Sequence, residues 1–105
     1  MDKTPYTPVF WLNLGAHFIQ IGEYQASLDY SLRGIHRAPD KAYGYLVFAK
    51  AYSHMEDFDQ ALKACDIGVD FGKAHDDAHL IKELEEAKKR ITSDFEQSKY
   101  GTFSS

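Results

Sequence analysis

The sequence is poor in most of the features that assign a chemistry outright. One cysteine, Cys65, in 105 residues excludes an internal disulfide and fits a reducing compartment. There is no basic excess: the net charge is -4 and the pI is near 5.6, which argues against a nucleic-acid binder with its usual basic face. No stretch approaches the ~18 uninterrupted apolar residues of a membrane span. The N-terminal MDKTPYTP has no apolar run of signal-peptide length. Gly15, Gly22, Gly34 and Gly44 are isolated, so no glycine-rich phosphate loop is present. These absences leave a soluble, cytoplasmic protein with no membrane or nucleic-acid partner as the expectation.

What is there is a globular balance, with 44% apolar and 14% aromatic residues, and an internal echo. The stretch from Trp11 to Pro39 returns 34 residues later without a gap. Trp11 returns as Tyr45, Leu14 as Phe48, Gly15 as Ala49 and Phe18 as Tyr52. Tyr24 returns as Phe58, Ser27 as Ala61, Leu28 as Leu62, Gly34 as Gly68 and Ile35 as Val69. A self-match at a fixed period in this range is the signature of a helical repeat array.

Taken in order, residues 1–7 form a polar arm whose Thr7 can cap a helix that starts at Pro8, where the missing N–H costs nothing. Trp11, Leu14, Phe18 and Ile21 then recur at three and four residues, the spacing of one buried helix face. Gly22 supplies a left-handed residue to end that helix. The second helix, about residues 25–37, carries an apolar stripe of Leu28, Leu32 and Ile35. Beside it runs a small-residue stripe of Ser27, Ser31 and Gly34, copied as Ala61, Cys65 and Gly68. Pro39 stops it. Asp40 is the expected cap of a third helix over residues 41–54. Asp57 or Phe58 leads into a fourth over residues 59–71, which Gly72 closes. A fifth over residues 76–92 has a narrow stripe of Leu80, Leu84, Ala87 and Ile91. Its other faces are charged, with Glu85–Lys89 and Glu86–Arg90 at i,i+4 spacing. That suits the solvated end of an array. Residues 93–105 have no sustained period and are expected to be a mobile tail.

Trp11, Leu14-Gly15, Phe18, Gly22, Tyr24, Ser27, Ser31, Gly34 and Pro39 in one unit resemble the tetratricopeptide repeat family. So do Tyr45, Phe48-Ala49, Tyr52, Glu56, Phe58, Ala61, Cys65 and Gly68 in the next. Ser31 and Cys65 stand where the family usually has a larger residue, and Lys73 replaces the second proline. The resemblance implies an all-α fold of five helices, a right-handed superhelix of antiparallel helix pairs. Its parts are repeat 1 at residues 8–41, repeat 2 at 42–75 and a capping helix at 76–92.

The resemblance further implies a concave groove lined by the first helix of each pair, which in the family binds peptides or helices of partner proteins. Carried over residue by residue, the groove positions are Val9, Leu12, Ala16, Ile19 and Gln20 in the first unit. In the second they are Tyr43, Leu46, Lys50, Ser53 and His54. The lysine and asparagine clamp by which one family subset holds an acidic C-terminus is missing, because Leu12, Ala16 and Val47 occupy its positions. The floor is expected to be apolar (Val9, Leu12, Ile19, Tyr43, Leu46) with a rim of Lys50 and His54. Such a groove suits an amphipathic helix or an extended apolar segment. Two readings stay open: an adaptor or chaperone-like module for a protein or peptide partner, and a self-associating structural unit or piece of a longer array.

No enzyme, cofactor or metal is expected. His75 and His79 lie one helical turn apart with Asp76 and Asp77 between them, which offers N and O ligands but no further cluster. Cys65 sits on a packing stripe, where a thiol is buried rather than reactive. His17, His36 and His54 fall at different helical phases and assemble no acid–base pair.

Overall fold

The computed structural model describes residues 8–100, which form five α-helices with no strand among them. α1 is Pro8–Gln20, α2 Tyr24–Arg37, α3 Ala42–His54, α4 Phe58–Ala74 and α5 Ala78–Tyr100. Each helix packs against the next in sequence, and α3 also touches both α1 and α5, whereas α2 and α4 do not meet. The odd helices therefore form one layer and the even helices the other. A thin dimension of 17 Å accommodates two such layers.

Three turns within this arrangement are built alike. Gly22, Glu56 and Asp76 have positive φ, at 82°, 62° and 56°. The next N–H reaches back five residues to a helix carbonyl: Glu23 to Phe18 at 2.8 Å, Asp57 to Tyr52 at 2.9 Å and Asp77 to Gly72 at 2.9 Å. This left-handed ending satisfies carbonyls that the terminated helix would otherwise leave bare. The residue after it starts the following helix. Asp57 accepts from the Gln60 N–H at 3.3 Å and Asp77 from the Leu80 N–H at 3.1 Å, while Glu23 makes no such bond. The link between the two pairs is different. Ala38 N–H bonds the Gly34 carbonyl at 3.0 Å, and the Tyr45 hydroxyl donates to the Pro39 carbonyl at 2.9 Å.

Several boundaries depart from the sequence expectation. α3 is capped at Lys41 without a side-chain bond, because the Asp40 carboxylate instead lies 3.1 Å from His75 Nε2. Gly72 does not close α4; it is buried inside the helix, where a Cβ would come within 2.9 Å of Ile81 Cγ1. α5 runs through residues 93–100, past its expected end at Thr92. The stripe that buries Leu84 and Ile91 simply continues to Phe95, whose ring lies 5.5 Å from that of Phe58 and under the Lys99 ammonium at 4.7 Å. The arm at residues 1–7 with its Thr7 cap, and residues 101–105 of the expected tail, lie outside the described residues.

The interior follows the small-residue stripes. Ser27, Ser31, Ala61 and Cys65 are fully buried, and Gly15 brings α1 so close to α2 that a Cβ there would lie 3.2 Å from the Ser27 carbonyl oxygen. Gly68 does the same for α5, with Leu84 Cδ2 at 2.9 Å from the missing Cβ. Leu28 and Ile35 join the core, but Leu32 does not; it is 43% exposed. Around the first pair, Tyr30 stacks on Trp11 at 5.8 Å and on Phe18 at 5.2 Å, and the Arg33 guanidinium covers Trp11 and Tyr30.

Candidate functional site

The odd-helix layer carries a cleft of about 430 Å³, within the range of sites that hold small ligands or side chains. α1 contributes Ile19. α3 contributes Leu46, Lys50, Ser53 and His54, and α5 contributes Glu83, Glu86, Ala87, Arg90, Ile91 and Asp94. Five of the ten residues expected in a groove therefore line one cleft: Ile19, Leu46, Lys50, Ser53 and His54.

The other five are distributed differently. Val9 is exposed on the first turn of α1, Gln20 is exposed at its end and Ala16 is half-buried between them. Tyr43 is half-buried and its hydroxyl donates to Asn13 Oδ1 at 2.9 Å, which ties α3 to α1. Burial, with the Glu83 carboxylate nearby, raises the pKa of this phenol, so it stays a neutral donor. Leu12 does not reach the groove: it is 0% exposed. Leu46, though it borders the cleft, keeps only 3% of its surface open. Both leucines are core residues, and a partner could touch at most the edge of Leu46.

The expected apolar trough is thus a cleft with a small apolar floor and charged walls. Ile19, Ala87 and Ile91 supply nonpolar surface, Ile91 very little of it. On one side stand Lys50 and His54, one helical turn apart; the His54 ring stacks flat on Tyr24 at 4.8 Å, which fixes its place at the rim. On the other side Glu83, Glu86, Arg90 and Asp94 follow one another at three- and four-residue spacing along α5. Among the described residues, only Glu83 of the four has an ionic partner, His79 at 3.1 Å. The i,i+4 pairs expected between Glu85 and Lys89 and between Glu86 and Arg90 do not form among the described residues.

Elsewhere, chemistry-bearing residues are occupied by structure. His75 faces Asp40 and His79 faces Glu83, so the two imidazoles serve separate contacts rather than one centre. No group of three or more His, Cys, Asp or Glu among the described residues is arranged to hold a metal. Cys65 is buried, and burial with the adjacent Asp66 pushes its pKa up to about 11 against the opposing pull of Lys88. A thiol so held is protonated at neutral pH and is a poor nucleophile. No helix of the described residues is long and apolar enough to cross a membrane.

Sequence reasoning missed the α5 wall because its charges resemble a solvated face. The signal was nonetheless present. Glu83, Glu86, Arg90 and Asp94 flank Ala87 and Ile91 at helical spacing, so they share the side of α5 that turns toward α3. No family model matches the chain, and no curated protein and no solved structure is significantly similar to it.

Proposed function

We propose that the chain is a cytoplasmic protein-binding module, an adaptor or chaperone-like unit that holds a segment of a partner protein in the cleft between α1, α3 and α5. In this proposal the helix pairs wind as a right-handed superhelix of the tetratricopeptide kind, with α5 as its solvated end. The repeat of turn geometry at Gly22 and Glu56, 34 residues apart, supports that architecture. The observation that carries the functional reading is the cleft itself. It is open, it is walled by three helices, and Lys50, Glu86, Arg90 and Asp94 line it without any ion pair among the described residues. Its role is recognition rather than chemistry.

Affinity capture with the full chain as bait tests this. Ile19→Asp, which places a charge on the floor, is expected to remove the captured partner while the helical circular dichroism persists. Lys63→Glu on the even-helix layer is expected to leave capture unchanged. Identical capture by the wild type and Ile19→Asp would sink the reading. A second reading, self-association, is favoured by Val9 and Phe10, adjacent and 46% and 39% exposed. Light scattering that finds a monomer at high concentration counts against it.

A further inference from the structure

We infer that the segment this cleft accepts is a charge-polarised peptide, with basic side chains along the flank that meets α5 and an acidic side chain on the flank that meets α3. The inference rests on the binding reading above and specifies its partner. Across the cleft the two walls differ in sign. α3 offers Lys50, with His54 one turn on, and no carboxylate. α5 offers three carboxylates, Glu83, Glu86 and Asp94, against the single Arg90. The α5 row covers eleven residue steps, or roughly 16 Å at a rise of 1.5 Å per residue. That length matches three turns of a guest helix or about five residues of an extended one.

The opposed charges could have neutralised one another, and they do not. Where α4 and α5 touch, Lys88 and Asp66 close to 2.7 Å; where α3's leading loop meets the end of α4, His75 and Asp40 close to 3.1 Å. Across the cleft, Lys50 makes no such contact with Glu86 or Asp94. The cleft holds them apart, so a guest between them completes pairs on both sides. An acidic group on the guest meets Lys50, and lysines or arginines about 12 Å apart, seven or eight residues in a helical guest or three or four in an extended one, meet Glu86 and Asp94. Small or aliphatic side chains between those rows cover Ile19, Ala87 and the edge of Ile91. Charge arranged this way fixes the direction in which the guest lies, which a purely apolar trough would not do.

Selection from a displayed library of random 12-residue peptides against the full chain supplies the probe. The best peptide is then measured by fluorescence anisotropy. The expected binders carry two lysines or arginines, spaced three or four residues apart if the peptide binds extended or seven or eight apart if it binds as a helix, and at least one aspartate or glutamate. Their affinity falls at least about tenfold in the double variant Glu86→Lys/Asp94→Lys. A peptide with its basic residues changed to glutamate recovers most of that loss on the double variant. Affinity also weakens as salt is raised. Ser53→Trp and Ala87→Trp, two independent ways to fill the cleft without changing its charge, are checked for helicity and are expected to abolish binding. Binding lost on filling the cleft but indifferent to both charge changes would overturn this inference and leave the binding reading standing. No binder, or binders indifferent to a folded cleft-filling variant, would overturn both. A chain that dimerises, and reverts to monomer in Glu86→Lys/Asp94→Lys, would make a second copy the occupant and overturn the inference as well.

Discussion

In the first helix pair the buried small-residue line is Ser27 and Ser31, and in the second Ala61 and Cys65 stand at the same places 34 residues on. Ser31 returns its hydroxyl to the Leu28 carbonyl at 3.1 Å, but the Ser27 hydroxyl is buried without a partner. At the turns the balance reverses. The first pair has glycine at its left-handed position, Gly22, and the second holds Glu56 in the same conformation. At the next residue it reverses again, since Asp57 caps its helix and Glu23 does not. Each pair is well made where the other is compromised, yet both turns take the same left-handed path. Volume and helix geometry set this fold; individual hydrogen bonds adjust its stability around them.

The sharpest test of that view concerns Leu12 and Leu46, which are equivalent across the 34-residue shift and buried in both pairs. If they are core, Leu12→Glu or Leu46→Glu puts a carboxylate into an apolar site and deletes packing as well. The expected cost is at least about 3 kcal/mol, most of the stability of a domain this small. Circular dichroism should show helicity lost or melting lowered by well over ten degrees, whereas Lys50→Glu, four residues further along α3, should melt like the wild type. A Leu12→Glu chain that keeps both its helicity and its melting temperature would put Leu12 back on the groove floor.

These leucines also mark how far the sequence could be read. The helices themselves were legible, because aromatic and aliphatic residues at three- and four-residue spacing have no other way to be buried together. The small stripes were legible too: Ser27, Ala61 and Cys65 are inside as their spacing demands. The cap of α3 and the ends of α4 and α5 were not. Asp40 and Gly72 are residues that local rules assign to helix ends, but the first is drawn to His75 and the second makes room for Ile81. The cleft was half legible. Positions carried over from a resemblance located Lys50, Ser53 and His54, but they could not reveal that α5 brings an acidic wall across from them. That wall depends on how α5 is rotated, which the Leu84–Gly68 and Ile81–Gly72 contacts decide.

Exchanging the small-residue lines is the next test in size. Ser27→Ala removes a buried hydroxyl that has no hydrogen bond and gives the first pair the residue the second already has. It is expected to stabilise the chain by about 1 kcal/mol. The reciprocal Ala61→Ser places a hydroxyl among Ala49, Ala64 and Cys65 and is expected to cost about 1–3 kcal/mol. Urea unfolding with an unchanged slope measures both. Equal and small effects of the two changes would mean that the pairs differ less in their interiors than the unpartnered Ser27 hydroxyl implies.

Exchanging the turns should have the smallest effect and the cleanest cause. A Cβ on Gly22 would find no atom within 4 Å, so Gly22→Ala adds no clash and its whole cost is the left-handed backbone at φ 82°. That cost, about 1 kcal/mol, is partly offset because alanine stiffens the unfolded chain by about 0.4–1 kcal/mol, so the net loss is expected to be a few tenths of a kcal/mol. Glu56→Gly relieves the same conformation in the second pair but also loosens the unfolded chain, by about 0.4–1 kcal/mol. The two terms oppose, so its net gain is expected to be a few tenths of a kcal/mol. If Glu56→Gly were clearly destabilising, the Glu56 side chain would have to be doing more at that turn than tolerating it. The turns of the two pairs would then share a backbone for different reasons.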